Sequence, residues 1–581
     1  MLDQYRLLST IDNPQDLKKL NAQVLPKLAA EIRDYILNVV ALKKGHLGAS
    51  LGVTELSIAL HYYLNTPQDI LLWDVGHQSY VHKILTGRKE KFLNLRQKNE
   101  ISGFPVREES EYDCFGVGHS STTISALTGI ALADKLKDIE RKRFAVIGDA
   151  SIASGMALEG LNHLGDTDLD VTVILNDNNI GIDHATGALK NYFNQLGVQG
   201  DTFFSDLGFH YQGVVNGHDF SEIFKAFKKI EKISRPKILH IRTIKGKGYA
   251  QAEQDQVAWH APGKFNKISG EREIQTQKET YPDLAGKTLH RVFEKNKKAV
   301  AISPAMLSGS SLMELKEKFP DRVWDVGIAE QHAVTLSAGL ASQGMVPYCV
   351  IYSTFLQRAY DQLIHDVALQ ELPVIFLIDR AGLVGSDGAT HHGYFDISFL
   401  NAIPQMILAA PLDATELKSM IQKAPLFNQP VAIRYAKTSA ETFFKEEQLK
   451  FFKAREILNG EKMVILSTGS IGLQIFKALK KLNKNIGWVH FPFIKPLDEV
   501  KLAAVFKKYN RILTYEEGVK PGGFGMSCLA KANEMSWKGK MEICAFPSDF
   551  ISHASISEQM EDLGFSVEGI MKKVEKFFLE N

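Results

Sequence analysis

FAVIGDA, residues 144–150, is an apolar run that stops on Gly148 and Asp149. It has no polar alternation, as expected of a parallel strand buried on both faces. A carboxylate at the carboxyl end of such a strand lies where open α/β sheets bind ligands. Downstream, after a helical pattern at 153–164, a second apolar run VTVIL (171–175) ends in Asn176, Asp177 and Asn178. Two neighbouring strand ends therefore carry hard oxygen donors, the kind Mg²⁺ shares with phosphates. The competing use of such residues is to cap turns and helices.

The same alternation of apolar runs and amphipathic stretches continues along the chain. Strands are predicted at 239–244, 348–352, 374–378, 406–409, 464–466 and 511–515, and helices at 122–137 and 360–370. This pattern predicts α/β architecture with mostly parallel sheets flanked by helices. Polar segments at 266–286 and 437–462 suggest three consecutive domains, at 1–280, 281–450 and 451–581.

Composition narrows the function classes. Hydrophobic residues make up 45% and charged residues 23% of 581, and the net charge is +1, so no electrostatic footprint for nucleic acid or anionic membrane exists. The four cysteines are far apart and form neither a zinc pattern nor a disulfide framework. The first twenty residues lack a signal-peptide core, and no run is long enough to span a membrane, so a cytoplasmic protein is expected. Walker, complete dinucleotide-binding and H-E-x-x-H motifs are absent.

Three glycine-rich turns each carry a histidine ahead of a helix: KKGHLGASLG (His46), WDVGHQSYVHKILTGR (His77) and FGVGHSSTTIS (His119). The last opens a helix whose free N–H groups are expected to hold a diphosphate. In DVGIAEQHAVTLSAGL, residues 325–340, Glu330 is a lone acid at a loop-to-helix junction. It reads either as a first-turn residue favoured by the helix dipole or as a desolvated functional carboxylate.

The Gly148-Asp149 and Asn178 pair resembles the Gly-Asp-Gly … Asn signature of thiamine diphosphate enzymes, with Ala150 standing where that family has Gly. IYSTFLQRAYDQ and DRAGLVGSDGATH within 348–396, then FIKPLDE (493–499), TYEEGVKPGGFG (514–525) and FPSDFISHAS (546–555), resemble the 1-deoxy-D-xylulose-5-phosphate synthase family over nearly the whole chain.

The resemblance implies a transketolase-like fold with a diphosphate/Mg²⁺ domain, a pyrimidine domain and a C-terminal domain. It implies Mg²⁺ on Asp149, Asn178 and the carbonyl of Ile180. His77, Gly118, His119, Ser120, Ala150, Ser151 and Tyr249 would line the diphosphate or thiazolium, and Ile182 would prop the cofactor. Glu330 would bind the aminopyrimidine ring nitrogen, and Phe355 would stack on that ring. His46, Tyr352, Arg358, Arg380, Asp387, His391 and Arg434 match substrate and proton-transfer positions. Among them Arg380 and Arg434 suit a phosphate, since guanidinium binds it through a planar fork. His46 and His77 are expected to shuttle protons near working pH. His392 stands where the family usually has Gln.

The implied reaction condenses pyruvate with D-glyceraldehyde 3-phosphate, with loss of CO₂, to 1-deoxy-D-xylulose 5-phosphate. That product feeds isoprenoid, thiamine and pyridoxal synthesis, and the family's members are homodimers. Rival readings are transketolase-type ketol transfer, a pyruvate dehydrogenase first component and a non-catalytic thiamine diphosphate binder. The chain is short for this family, and the shortening falls after Asn178.

Overall fold

The computed structural model describes residues 2–197, 201–273, 278–443 and 450–579. The chain divides into two compact units, residues 1–275 and 276–581.

The first unit holds five parallel strands: β1 (Ile70–Trp73), β2 (Arg143–Gly148), β3 (Thr172–Asp177), β4 (His210–Asn216) and β5 (Lys237–Arg242). Their order is β1-β2-β3-β5-β4. Gly148 pairs with Asn176, so β2 and β3 end level with one another. Both faces are covered. Ile124, Leu127, Leu161 and Leu164 pack on Ile147, Val173 and Leu175, while Leu56, Leu60, Phe227 and Ile230 pack on Leu71, Val146, Ile174 and Leu239. Two-sided burial is why these strands read as continuous apolar runs, and each such side chain stabilises the fold by about 1.5–3 kcal/mol.

The second unit carries β6 (Ala299–Ser303), β7 (Val323–Asp325), β8 (Val346–Tyr352), β9 (Ile375–Asp379), β10 (Ile407–Ala409), β11 (Val431–Arg434), β12 (Arg455–Leu458), β13 (Met463–Ser467), β14 (Ile486–His490), β15 (Phe493–Lys495), β16 (Arg511–Val519) and β17 (Lys540–Phe546). They form a seven-stranded sheet, β15-β10-β11-β9-β8-β6-β7, and a five-stranded sheet, β12-β14-β13-β16-β17. Only the edge strands β15 and β12 run antiparallel to their neighbours. The architecture is the α/β one read from the sequence, with three mostly parallel sheets flanked by helices.

Local differences have physical causes. The strand expected at 239–244 lies two residues earlier, because Thr243 and Ile244 leave the sheet beyond β5. The helix expected at 360–370 is one α-helical turn, Tyr360–Gln362, followed by a π-helical turn, Leu363–Ala368. Among the described residues no helix is long and apolar enough to cross a membrane.

Candidate cofactor and substrate site

In the first unit, β2 delivers Asp149 onto a one-turn helix, Asp149–Ile152. Asp149 is 7% exposed. Burial and the nearby charge of Asp177 push its carboxyl up to about 7, although it accepts backbone N–H groups of Ala150 and Asn179. The Asn179 contact holds Asp149 against the turn that follows β3. In that turn Asn178 Oδ1 accepts the N–H of Ile180 at 3.1 Å, and Asn179 takes φ 61°. Asp149, Asn178 and Ile180 are thus brought together. Asp177 points elsewhere, to His240 Nε2 (2.9 Å) and Arg242 Nη2 (3.3 Å). Lys245 Nζ donates to the Gly181 carbonyl at 2.6 Å, and burial lowers it to about 8 against the pull of Asp149 and Asp183.

This donor set suits a divalent cation with phosphate co-ligands. Among the described residues no three His, Cys, Asp or Glu side chains cluster as a metal site. One carboxylate, one amide oxygen with a second lone pair and a main-chain carbonyl remain, all hard oxygens that leave a shell for phosphate oxygens to complete. Buried polar atoms without a hydrogen bond include Asn179 Oδ1 in the turn after β3 and His77 Nδ1, Gln78 Nε2 and His260 Nδ1 elsewhere in the unit. Native folds pair such atoms, so these point to an absent group.

The histidine turns converge in part. The rings of His46 and His77 lie 5.8 Å apart, and both neighbour His260, at 5.1 and 5.6 Å. Arg96 Nη2 lies 2.7 Å from His46 Nδ1. Burial and Lys245 push His77 down to about 3, and burial drives His260 well below its usual value. The expected near-neutral titration of His77 is therefore corrected: in this environment it is a neutral imidazole. His260 was not foreseen, because nothing in AWHAPG signals that its carbonyl accepts the N–H of Leu47 and seats the ring beside the first glycine-rich turn.

The helix after the third turn, Thr123–Leu136, also requires a correction. Its first N–H is not free: Asp74 accepts Thr123 N–H at 3.3 Å, and Ser121 N–H just ahead of the helix at 2.7 Å. Gly118, His119 and Ser120 precede it in the same loop. Ser121 Oγ donates to the Ser151 carbonyl at 2.8 Å, linking that loop to Ala150 and Ser151. Ile182 follows the Asn178 turn half-buried. Tyr249 is not brought into this group: its hydroxyl donates to the Lys267 carbonyl, and its ring packs on Trp259 and Phe265.

In the second unit, Glu330 opens the helix Glu330–Ser342 and is 5% exposed. Burial raises its carboxyl, and Arg358, 3.9 Å away, works against that rise. β8 ends on Tyr352, whose ring stacks on Phe355 at 5.5 Å; Phe355 meets His391 edge-on at 5.8 Å. The Arg380 guanidinium lies over Tyr352 at 4.3 Å and pairs with Asp379 at 2.5 Å. Arg380 sits just past β9 with φ 59°, an uncommon conformation for a bulky residue. Tyr352, Phe355, Arg380 and His391 thus form one contiguous group.

Gly382 and Gly393 exchange both backbone hydrogen bonds at 2.8 Å and close the neck of the loop bearing Asp387 and His391. His392 turns into that loop. Its Nδ1 accepts the N–H of Val384 at 3.1 Å, Gln559 lies 3.2 Å from Nε2, and burial holds it down at about 4. Arg434 ends β11 with its guanidinium engaged by Asp396 and by the Glu517 carbonyl at 2.9 Å. Asp379, Asp396 and Glu517 went unassigned in the sequence, although Asp379 repeats the strand-end carboxylate signal of Asp149.

Mostly parallel sheets flanked by helices, with a hard-oxygen pair at the ends of β2 and β3, are the architecture of a transketolase-type α/β enzyme. The family models for the transketolase pyrimidine-binding domain and the transketolase C-terminal domain match residues 277–442 and 453–570. The family model for 1-deoxy-D-xylulose-5-phosphate synthase matches residues 8–200 and 197–243, in two pieces that meet in the segment after Asn178. The 1-deoxy-D-xylulose-5-phosphate synthase of Cytophaga hutchinsonii is 42% identical over 99% of both chains. That of Parabacteroides distasonis is 40% identical over 98% of both, and that of Haemophilus influenzae strain PittGG is 42% identical over 99% of this chain and 98% of its own. The chain belongs to the 1-deoxy-D-xylulose-5-phosphate synthase family.

Proposed function

We propose that this chain condenses pyruvate with D-glyceraldehyde 3-phosphate, with loss of CO₂, to give 1-deoxy-D-xylulose 5-phosphate, using thiamine diphosphate and Mg²⁺. It is then a transferase that opens isoprenoid precursor synthesis. We further propose a cytoplasmic homodimer built of three domains, 1–280, 281–450 and 451–581. The carrying observation is the contact between the Asp149 carboxyl and the Asn178–Ile180 turn, in which the buried Asn179 Oδ1 lacks a partner.

When bound, thiamine diphosphate supplies the electron sink for decarboxylation and carries the fragment to be transferred. The chain's residues do the rest. Asp149, Asn178 and the Ile180 carbonyl would hold Mg²⁺, and Gly118, His119, Ser120, Ala150 and Ser151 would flank the diphosphate. Glu330, whose carboxyl burial raises, would hold the pyrimidine ring nitrogen, and Phe355 would pack on the ring. His46 is the candidate to move protons near the reacting carbons, and His77, as a neutral imidazole, to offer a hydrogen bond there. Arg380 and Arg434 bind the phosphate of the acceptor, and Asp387 and His391 orient its hydroxyl and aldehyde.

Purified protein with thiamine diphosphate and Mg²⁺ is expected to release CO₂ from pyruvate, faster with glyceraldehyde 3-phosphate present, and to stop when a chelator removes the metal. Absence of deoxyxylulose phosphate under these conditions sinks the proposal. A ketose phosphate donor in place of pyruvate separates it from ketol transfer, and calorimetric binding without turnover would mark a non-catalytic binder.

A further inference from the structure

We propose that Asp74 is the positioning residue of the diphosphate end of the site, a single carboxylate that sets three separate segments at once. The inference rests on the cofactor reading above.

Asp74 follows β1 directly and is fully buried. Its own N–H donates to the Val146 carbonyl at 2.8 Å, anchoring it to β2, the strand that delivers Asp149. Oδ1 accepts the N–H of Ser121 at 2.7 Å. Oδ2 accepts the hydroxyl of Thr123 at 2.7 Å and its N–H at 3.3 Å. From Ser121 the chain of contacts continues through its hydroxyl to the carbonyl of Ser151. Asp74 thus reaches the Gly118–Ser120 loop through one bond, and the Ala150–Ser151 segment both directly, through the Ser151 side chain, and by way of Ser121. Its main chain leads, three residues on, to His77.

The backbone on both sides needs such a clamp. Val75 and Ser121 take φ values of 59° and 72°. A positive φ is a genuine outlier for a β-branched residue and persists only where the surroundings over-determine it. At Gly76 (φ 85°) a Cβ would stand 2.5 Å from Pro105 and 2.7 Å from Val117, so the turn is also packed to its limit.

The side chain receives the N–H of Ser121, the N–H and hydroxyl of Thr123 and the Ser151 side chain, and these donors work against the burial that raises its carboxyl. An amide of the same shape would turn an NH₂ group towards one of those donors. Apart from the Ser151 side chain, Asp74 meets the residues assigned to the cofactor only through the backbone it fixes, so its role is positioning. The bland alternative is a helix cap for Thr123–Leu136, which would contribute to stability alone.

The test compares wild type, Asp74→Asn and Ser121→Ala by calorimetric titration with thiamine diphosphate in the presence of Mg²⁺, by thermal unfolding without cofactor, and by turnover at saturating cofactor. Asp74→Asn is expected to weaken cofactor binding by about 10–100-fold, as loss of an outer-sphere support does. Ser121→Ala removes one link and is expected to cost about three- to tenfold. Both variants should recover near-normal kcat once cofactor saturates, because Asp74 contacts nothing that reacts. Dissociation constants within about twofold of wild type in both variants would reduce Asp74 to a helix cap and overturn the proposal. If Asp74→Asn does not fold, the Ser121→Ala titration decides alone. Failure of wild type itself to bind thiamine diphosphate is a separate outcome that removes the cofactor reading, and this inference with it.

Discussion

Arg434 Nε lies 3.0 Å from Asp396 Oδ2 with both side chains buried, so the guanidinium is already oriented before any ligand arrives. Its Nη2 is fixed by the Glu517 carbonyl, which leaves the Nη1 side as the contact available to a phosphate. Arg434→Lys cannot reproduce this fork. Its kcat/KM for glyceraldehyde 3-phosphate is expected to fall by about 2 kcal/mol, roughly thirtyfold, with little change for unphosphorylated glyceraldehyde. Equal losses on the two aldehydes would show that Arg434 serves the fold and not the phosphate.

Glu330→Ala is expected to lower turnover by about a hundred- to ten-thousandfold while the circular dichroism spectrum stays native. Arg358→Met tests its environment. The guanidinium lowers a carboxyl that burial raises, so its removal sends Glu330 further up. The pH–rate limb that reports this ionisation should move to higher pH, and a limb that stays in place would detach Arg358 from Glu330.

Ala150 and Gly181 are coupled by space. A Cβ on Gly181 would lie 3.1 Å from that of Ala150, closer than ordinary contact. Gly181→Ala should weaken binding of thiamine diphosphate and Mg²⁺, and adding Ala150→Gly should restore it, with an interaction energy of about 0.5–3 kcal/mol across the cycle. Strictly additive effects on the dissociation constant would dissolve the coupling.

His392 bonds to Val384 inside the Asp387 loop and neighbours Gln559. His392→Ala leaves the Val384 N–H unpaired and should cost about 1–3 kcal/mol, read as a raised KM for the acceptor aldehyde. His392→Gln, which can still accept there, should stay near wild type. An unchanged KM in His392→Ala would remove the loop-holding role.

Glu416 supplies a pH dependence of stability. Burial pushes its carboxyl up to about 7, although it accepts the Leu412 N–H and pairs with Arg455 at 3.0 Å. Because the folded value lies above the unfolded one, the fold binds a proton here. This contribution is full below about pH 4.5 and is lost as pH rises through about 7. Unfolding midpoints between pH 5 and 8 should fall with a slope that Glu416→Gln reduces; an identical slope in the variant would refute the assignment.

Much of the fold was legible because two-sided burial writes itself into a sequence as unbroken apolar runs, as at β2, β3, β8 and β9. Strands at sheet edges were harder. β4 reads HYQGVVN and β17 reads KMEICAF, and both are only partly buried, so polar residues interrupt the signal. The Asp149 and Asn178 pair was legible because strand ends announce themselves. The His260 ring was not, since it meets His46 and His77 only through tertiary folding. Asp74 was hidden for a related reason: it lies in the His77 turn by sequence but acts on Ser121 and Thr123.

The clasp between Gly382 and Gly393 makes residues 383–392 a cassette whose two ends touch. Its ends meet between β9 and the helix Asp396–Asn401, and Gln559 ties His392 and the Gly385 carbonyl from outside. On the roles proposed for Asp387 and His391, this cassette carries acceptor preference as one unit.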